Sequence, residues 1–399
     1  MGTHWHEARA IAHACATALP AGRVALDAAA GLVLAEDLRA LVALPPFDAS
    51  AMDGWAVCGD GPWRVVGEVL AGDVASVQLR DGDAVVTATG AAVPVGTTSV
   101  LPLEQGHLAA ASSDPHTGDL LSGATERGRH VRSAGEEAAV GEVLLARGTV
   151  LSPAALGLAA GAGHDSVLVH PRATVRAVVT GSELVDHGLP SAARIRDAVG
   201  PLLRAAVPGL AAVSVRVDVV PDDRDRLRAA LTEAAPDTSA DTSAPTRADV
   251  VLVSGSSSAG PADHLATVLR ELDADVLVDG VDVRPGHPQL LARLPDGTWV
   301  LGLPGNPLAA LVALVTLAEP LLAALAGRPL PELARATWRG EPSTAATTRL
   351  VPITLTGGAA HPTGHAGSAM LRGAAVADHL AVVPPGCAAG QGVEVVALP

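Results

Sequence analysis

Between residues 172 and 327 the chain switches repeatedly between two residue spacings, and that alternation leaves few folds open. Val175–Thr180, Val213–Val220, Val250–Ser254 and Trp299–Leu303 are short apolar runs of strand type. Helical patterns follow them: Ala193–Ala206, a stretch from Pro221-Asp222-Asp223 to about Ala234, Ala262–Leu272, and Pro307 to about Ala326. Strands alternating with helices imply a parallel sheet, whose ligand binds outside the carboxyl ends of the strands. The loops Gly181-Ser182-Glu183, Gly255–Gly260 and Pro304–Pro307 are expected to converge at that edge.

The last of these loops lies in "WVLGLPGNPLAAL", which holds the only asparagine of a 399-residue chain that has no lysine and no tyrosine. A composition drifted this far toward Ala, Gly, Val, Leu and Arg has replaced asparagine wherever a substitute would do. Pro304-Gly305 breaks the strand, Asn306 is a preferred N-cap, and Pro307 suits the first helical position because its missing N–H had no partner anyway. Gly327 and Pro329 stop the helix beyond Ala326. Such a strand-turn-helix directs free N–H groups and a positive helix end outward, which is either an anion site or an ordinary capped helix. Leu308–Ala318 is membrane-like in composition, but Glu319-Pro320 interrupts it short of the roughly 20 residues a span needs. It reads as a core helix.

The first 150 residues and the last 70 have another texture. Short apolar runs such as Trp63–Val69 and Ala84–Thr89 are broken by Gly, Pro and Asp, which is β-rich structure with tight turns. With 49% apolar and 17% charged residues the chain can bury large cores. A net charge of −15 speaks against a nucleic-acid partner, and an anionic ligand must be held by local donors against the overall field. Cys15, Cys58 and Cys387 form no disulfide framework and no metal spacing, and the N-terminal stretch has no basic start before an apolar core; both fit a cytoplasmic protein. The repetitive PDTSADTSAPT between Ala235 and Arg247 is expected to be a flexible surface insertion.

Nine motifs then occur in a familiar order. They are LPPFDASAMDGWAV (residues 44–57), VTATGAAVPVGTTSVLPLEQ, HVRSAGEEAAVGEVLLARGTVLSP, VVTGSEL, VVPDDRDRLRAAL, ADVVLVSGSSSAGPAD, VRPGHP, GLPGNP and GHAGSAML. Together they resemble the molybdopterin molybdenumtransferase family (MoeA and the E domain of gephyrin) along nearly the whole chain. The resemblance implies a multidomain α/β plus β protein. An α/β domain with a parallel sheet for molybdopterin would come from 1–16 and 172–327, and a β-rich inserted domain from 40–140. An elongated linker domain would come from 17–39 and 141–171, and a C-terminal β-barrel from 328–399. It also implies a homodimer, with other molybdenum cofactor biosynthesis proteins as candidate partners. The implied reaction takes adenylylated molybdopterin and molybdate as substrates, uses Mg²⁺, and releases AMP.

By the same resemblance Asp53, Thr89, Glu137 and Arg349 hold catalytic positions. Ser182, Gly255, Ser258, Gly260, Arg284, His287, Pro304, Gly305, Asn306, Pro307 and Ser368 would bind pterin or molybdate, and Asp53, Asp222, Asp223 and Asp263 the cation. The residue types suit these tasks: an arginine fork and serine hydroxyls match an oxyanion, and carboxylates match a hard cation. Read alone, Asp48 and Asp53 would be turn formers, and Asp222 and Asp223 cap a helix in either reading. The chain departs from the family at several positions. Ser182 replaces an acid, Ser256-Ser257 replace Gly-Val, and Ala198-Val199 replace a polar pair. Arg284 and His287 stand for two lysines, and Glu137 for an aspartate. Two readings follow: an active molybdenum-inserting transferase, or a degenerate paralogue that binds pterin or nucleotide or scaffolds the pathway.

Overall fold

The computed structural model describes residues 2–109, 119–210, 212–232, 248–255 and 263–399. The insertion, Ser258 and Gly260 lie outside the described residues. Two compact units divide the chain, one from Met1–Gly22 with His170–Pro399 and the other from Arg23–Val169.

In the first unit the four expected strands run parallel in the order Ala212–Val220, Ala173–Thr180, Val250–Ser254, Trp299–Leu303, and Leu290–Arg293 and Asp275–Asp279 extend the sheet antiparallel. Period 2 sorts their side chains between two cores. Val175, Ala177, Leu252 and Leu301 face one, with Trp5, the helix Pro307–Leu325 and Leu350 and Leu380 of the C-terminal sheet. Val178, Val253 and Val300 face the other, under the helices Arg224–Thr232 and Leu265–Glu271. Apolar residues on both sides explain why these strands read as continuous runs.

Helical propensity misplaces one boundary. The helix expected from Ala193 starts at Val199, because Ala193 has φ 62° and Ile195–Arg196 pair with Leu184–Val185 as a ribbon. Asp197 caps the true start, accepting from the Val199 and Gly200 N–H groups at 2.9 and 3.0 Å.

The helix Pro307–Leu325 is 94% buried, as a core helix must be, but Glu319-Pro320 does not break it. The chain takes a π-turn over Leu314–Ala318 instead. A π-turn carbonyl bonds five residues on, and the residue five after Val315 is Pro320, which has no N–H. The Arg9 guanidinium donates to the Val315 carbonyl in its place, and to Glu319 Oε2 at 2.8 Å. Arg9 is 2% exposed and lies 5.2 Å from the Trp5 ring, whose Nε1–H donates to Thr316 at 3.0 Å. Arg9→Met should cost about 3–5 kcal/mol, since it orphans a buried carbonyl and the partner carboxylate; denaturant unfolding checks this.

Five C-terminal strands close a barrel: Thr348–Thr356, Ala359–Pro362, Ala334–Trp338, Gly392–Ala397 and His379–Val383, the last pairing back to the first. Val283–Arg284 adds a parallel edge to Thr348–Thr356, with Arg284 beside Arg349.

The second unit is β-rich, with one α-helix at Pro153–Gly161 among the described residues. A six-stranded sheet includes Trp63–Val69 and Asp83–Thr87, and a three-stranded sheet joins Gly22–Ala25, Ser166–His170 and Val33–Leu34.

Candidate functional site

Thr180 pairs with Val220, and Ser254 and Leu303 end level with Val179 one residue earlier, so the loops after these strands form one crest. Gly255 has φ +100°, and a Cβ there would meet the Thr180 carbonyl at 2.3 Å. Gly305 comes so close that its Cβ would stand 3.2 Å from Gly255 Cα. Glycine at both positions lets the loops touch.

A cleft of about 560 Å³ opens on this crest, lined by Gly181, Glu183, Asp197, Asp222, Gly255, Gly305, Asn306 and Pro307 among others. The adjoining aspartates divide their work. Asp223 accepts from the Arg226 N–H at 2.8 Å as a helix cap, whereas Asp222 accepts from the Ser182 N–H at 2.9 Å and faces the cleft. The Ser182 hydroxyl returns the bond by accepting from the Asp222 N–H at 3.3 Å. Three carboxylates and Arg196 line this cleft, so a phosphate entering it would need a counter-cation. Glu183, expected at this edge with its loop but given no role, lines the cleft, and so does Asp197, which the motifs do not single out.

Beside it lies a cleft of about 460 Å³ of opposite character. Arg284, His287, Arg349, Ser368 and Asn306 line it, and no acidic residue does. Neither Arg284 nor Arg349 has an ion-pair partner among the described residues. Two neighbouring guanidiniums without a carboxylate, in a chain of net charge −15, make a local positive well. Asn306 lines both clefts and stands on the ridge between them.

The role expected of Asn306 needs correcting. It is the N-cap residue by position, with φ −74° and ψ 127°, but its side chain makes no cap bond. The Leu308 and Ala309 N–H groups donate to the Ser368 carbonyl at 2.9 and 3.2 Å, so these two first-turn donors are already satisfied without the Asn306 side chain. Asn306→Ala should therefore shift stability by less than about 0.5 kcal/mol, below the range of a lost cap. Its side-chain amide has no partner among the described residues; if it serves a pterin, binding should weaken in the same variant, and calorimetry and thermal melting separate the two effects.

In the second unit Asp53 and Thr89 meet. The Thr89 N–H donates to Asp53 Oδ1 at 2.7 Å, and with the Thr89 hydroxyl it holds the exposed carboxyl below the usual carboxylate range. Asp48 accepts from the Ala134 N–H at 2.7 Å, and the Glu137 N–H donates to the Leu44 carbonyl at 2.9 Å. The loops bearing Asp48, Asp53 and Glu137 are thereby tied together, with the Glu137 side chain exposed.

A divalent cation finds no ready cage, since among the described residues no group of three or more His, Cys, Asp or Glu could hold one. Asp263 Oδ1 accepts from the Leu265 N–H at 3.3 Å. Asp222 and Glu183 in the crest cleft fit Mg²⁺ in the way it is usually bound, by one or two carboxylates with substrate phosphates and water.

Comparison with known proteins agrees along the chain. The family model for the MoeA N-terminal region (domain I and II) matches residues 3–163, that for a probable molybdopterin binding domain matches 176–324, and that for the MoeA C-terminal region (domain IV) matches 338–398. Molybdopterin molybdenumtransferase 2 of Mycobacterium tuberculosis is 35% identical over 324 residues, covering 77% of this chain and 76% of its own. Molybdopterin molybdenumtransferase of Staphylococcus aureus is 27% identical over 401 residues, covering 95% and 92%. Among solved structures, the molybdopterin biosynthesis moeA protein of Pyrococcus horikoshii is similar with a TM-score of 0.79 at 25% identity, covering 100% of this chain and 99% of that one.

Proposed function

Because the chain belongs to the molybdopterin molybdenumtransferase family, and so to the transferases of molybdenum cofactor biosynthesis, we propose that its two clefts divide the two substrates of metal insertion. The crest cleft takes adenylylated molybdopterin, and the arginine cleft takes molybdate. The observation that carries this reading is the contrast in lining: three carboxylates on one side of Asn306, two unpaired arginines and no acid on the other. A tetrahedral dianion is drawn to the second and repelled by the first.

Within this reading Arg284 and Arg349 hold the molybdate oxygens with forked donors, and Ser368 adds a hydroxyl. Asn306, on the ridge, orients the pterin toward the oxyanion. Asp222 and Glu183 would hold Mg²⁺, which would supply positive charge to offset that of the phosphates. In the second unit Asp53, held ionised by the Thr89 N–H and hydroxyl, and Glu137 are the carboxylates that the family resemblance assigns to catalysis. The protein acts as a homodimer, and its three free cysteines fit a cytoplasmic setting. Complementation of a molybdenumtransferase-null strain tests the whole reading: restored nitrate reductase activity supports it, and none, with the protein expressed and folded, would favour a binding paralogue.

A further inference from the structure

Behind the arginine cleft the chain buries an amide that packing does not require. Gln289 is 1% exposed, its Nε2–H donates to the Gly286 carbonyl at 2.7 Å, and its Oε1 has no partner among the described residues. Reversing the amide would set oxygen against oxygen, so the contact itself settles the orientation. A buried acceptor without a partner is a standing cost, which methionine or leucine of similar volume would avoid. A local rule broken without a gain in packing points to a gain in function.

The segment that benefits is Arg284–Pro288, which brings Arg284 and His287 to the cleft. Its far end is tied through backbone, with the Val281 and Gln289 N–H groups donating to the His287 carbonyl at 2.9 and 2.8 Å. Its middle is Gly286, at φ +100°, where a Cβ would stand 3.1 Å from the Ala309 carbonyl. The loop therefore crosses directly over the first turn of the long helix, and the Gln289 amide grips the Gly286 carbonyl from beneath.

We propose that Gln289 is a positioning residue for oxyanion capture: strand pairing fixes Arg284 beside Arg349, and Gln289 sets Gly286 and with it the course of the cleft edge from Arg284 to His287. This rests on the reading of the arginine cleft as the molybdate site. Gln289→Met and Gln289→Leu test it together, one standing in if the other fails to fold. Amide hydrogen exchange at Val281 and Gln289, whose N–H groups close the loop on the His287 carbonyl, should rise in the variants while exchange along the Pro307–Leu325 helix stays as in the wild type. The molybdate KM should increase roughly 10-fold with kcat little changed, because a displaced binding group loses geometry rather than chemistry. The melting temperature should hold or rise. Wild-type loop exchange and wild-type KM in a folded variant would overturn the proposal, as would a fall in protection shared by loop and helix alike. If the wild type itself took up no molybdate, the reading of the cleft would fail, and the loop exchange would still decide the role of Gln289.

Discussion

Arg349→Ala is expected to raise the dissociation constant for molybdate by about 10- to 100-fold, since a hydrogen bond to a charged group contributes about 1.5–3 kcal/mol and each 1.4 kcal/mol is a factor of ten. The side chain leaves no partner unsatisfied when it is removed, because Arg349 has no ion pair among the described residues. The loss is therefore read in ligand binding and not in stability. Arg284→Ala should act similarly. The two sites share one ligand and adjacent register positions, so their effects should couple rather than add. Arg349→Lys keeps the charge but loses the fork, and should fall between wild type and alanine. Isothermal calorimetry with molybdate checks the series. Equal affinity in all four proteins would remove the arginine cleft from molybdate binding.

Asp53→Ala is expected to reduce turnover by about two orders of magnitude or more, on the scale of losing one preorganised electrostatic group. The carboxylate is exposed, and the Thr89 N–H and hydroxyl hold it below the usual carboxylate range, so it is ionised at neutral pH. Asp53→Asn separates charge from shape, because an amide oxygen can still accept from Thr89. If Asp53 serves the reaction, the asparagine variant should be nearly as inactive as the alanine variant while melting like the wild type. If Asp53 only forms a turn, the asparagine variant should keep full activity. Single-turnover assays with thermal melts distinguish the outcomes.

What could be read without coordinates was whatever depends on local order. The four parallel strands were legible because each is a continuous apolar run bounded by Gly or Pro, and those same boundaries mark the crest loops. What lay hidden depends on distant chain. The pairing of Arg284 with Arg349 joins two short segments through a parallel register that neither encodes. The Ser368 carbonyl reaches the helix start from the C-terminal region, so Asn306 occupies the cap position without doing the capping. The start at Val199 was misjudged because Ala, Leu and Arg favour helix from Ala193 onward, whereas the ribbon Leu184–Val185 with Ile195–Arg196 overrides that preference. The π-turn that carries the long helix past Pro320 is hidden in the sequence because it needs Arg9 of the N-terminal helix. The placement of Asp222 in the cleft, with Asp223 as the cap, required the Ser182 contact to be seen.

The central claim is that two clefts sharing Asn306 bring an oxyanion to a bound pterin nucleotide and that the meeting is productive. The most direct measurement is AMP release by the purified protein from adenylylated molybdopterin with Mg²⁺, with and without molybdate. The account predicts release that depends on molybdate, saturates with it, and fails in the Arg284→Ala, Arg349→Ala double variant. Tight binding of the pterin nucleotide with no molybdate-dependent release of AMP from the wild type would contradict it.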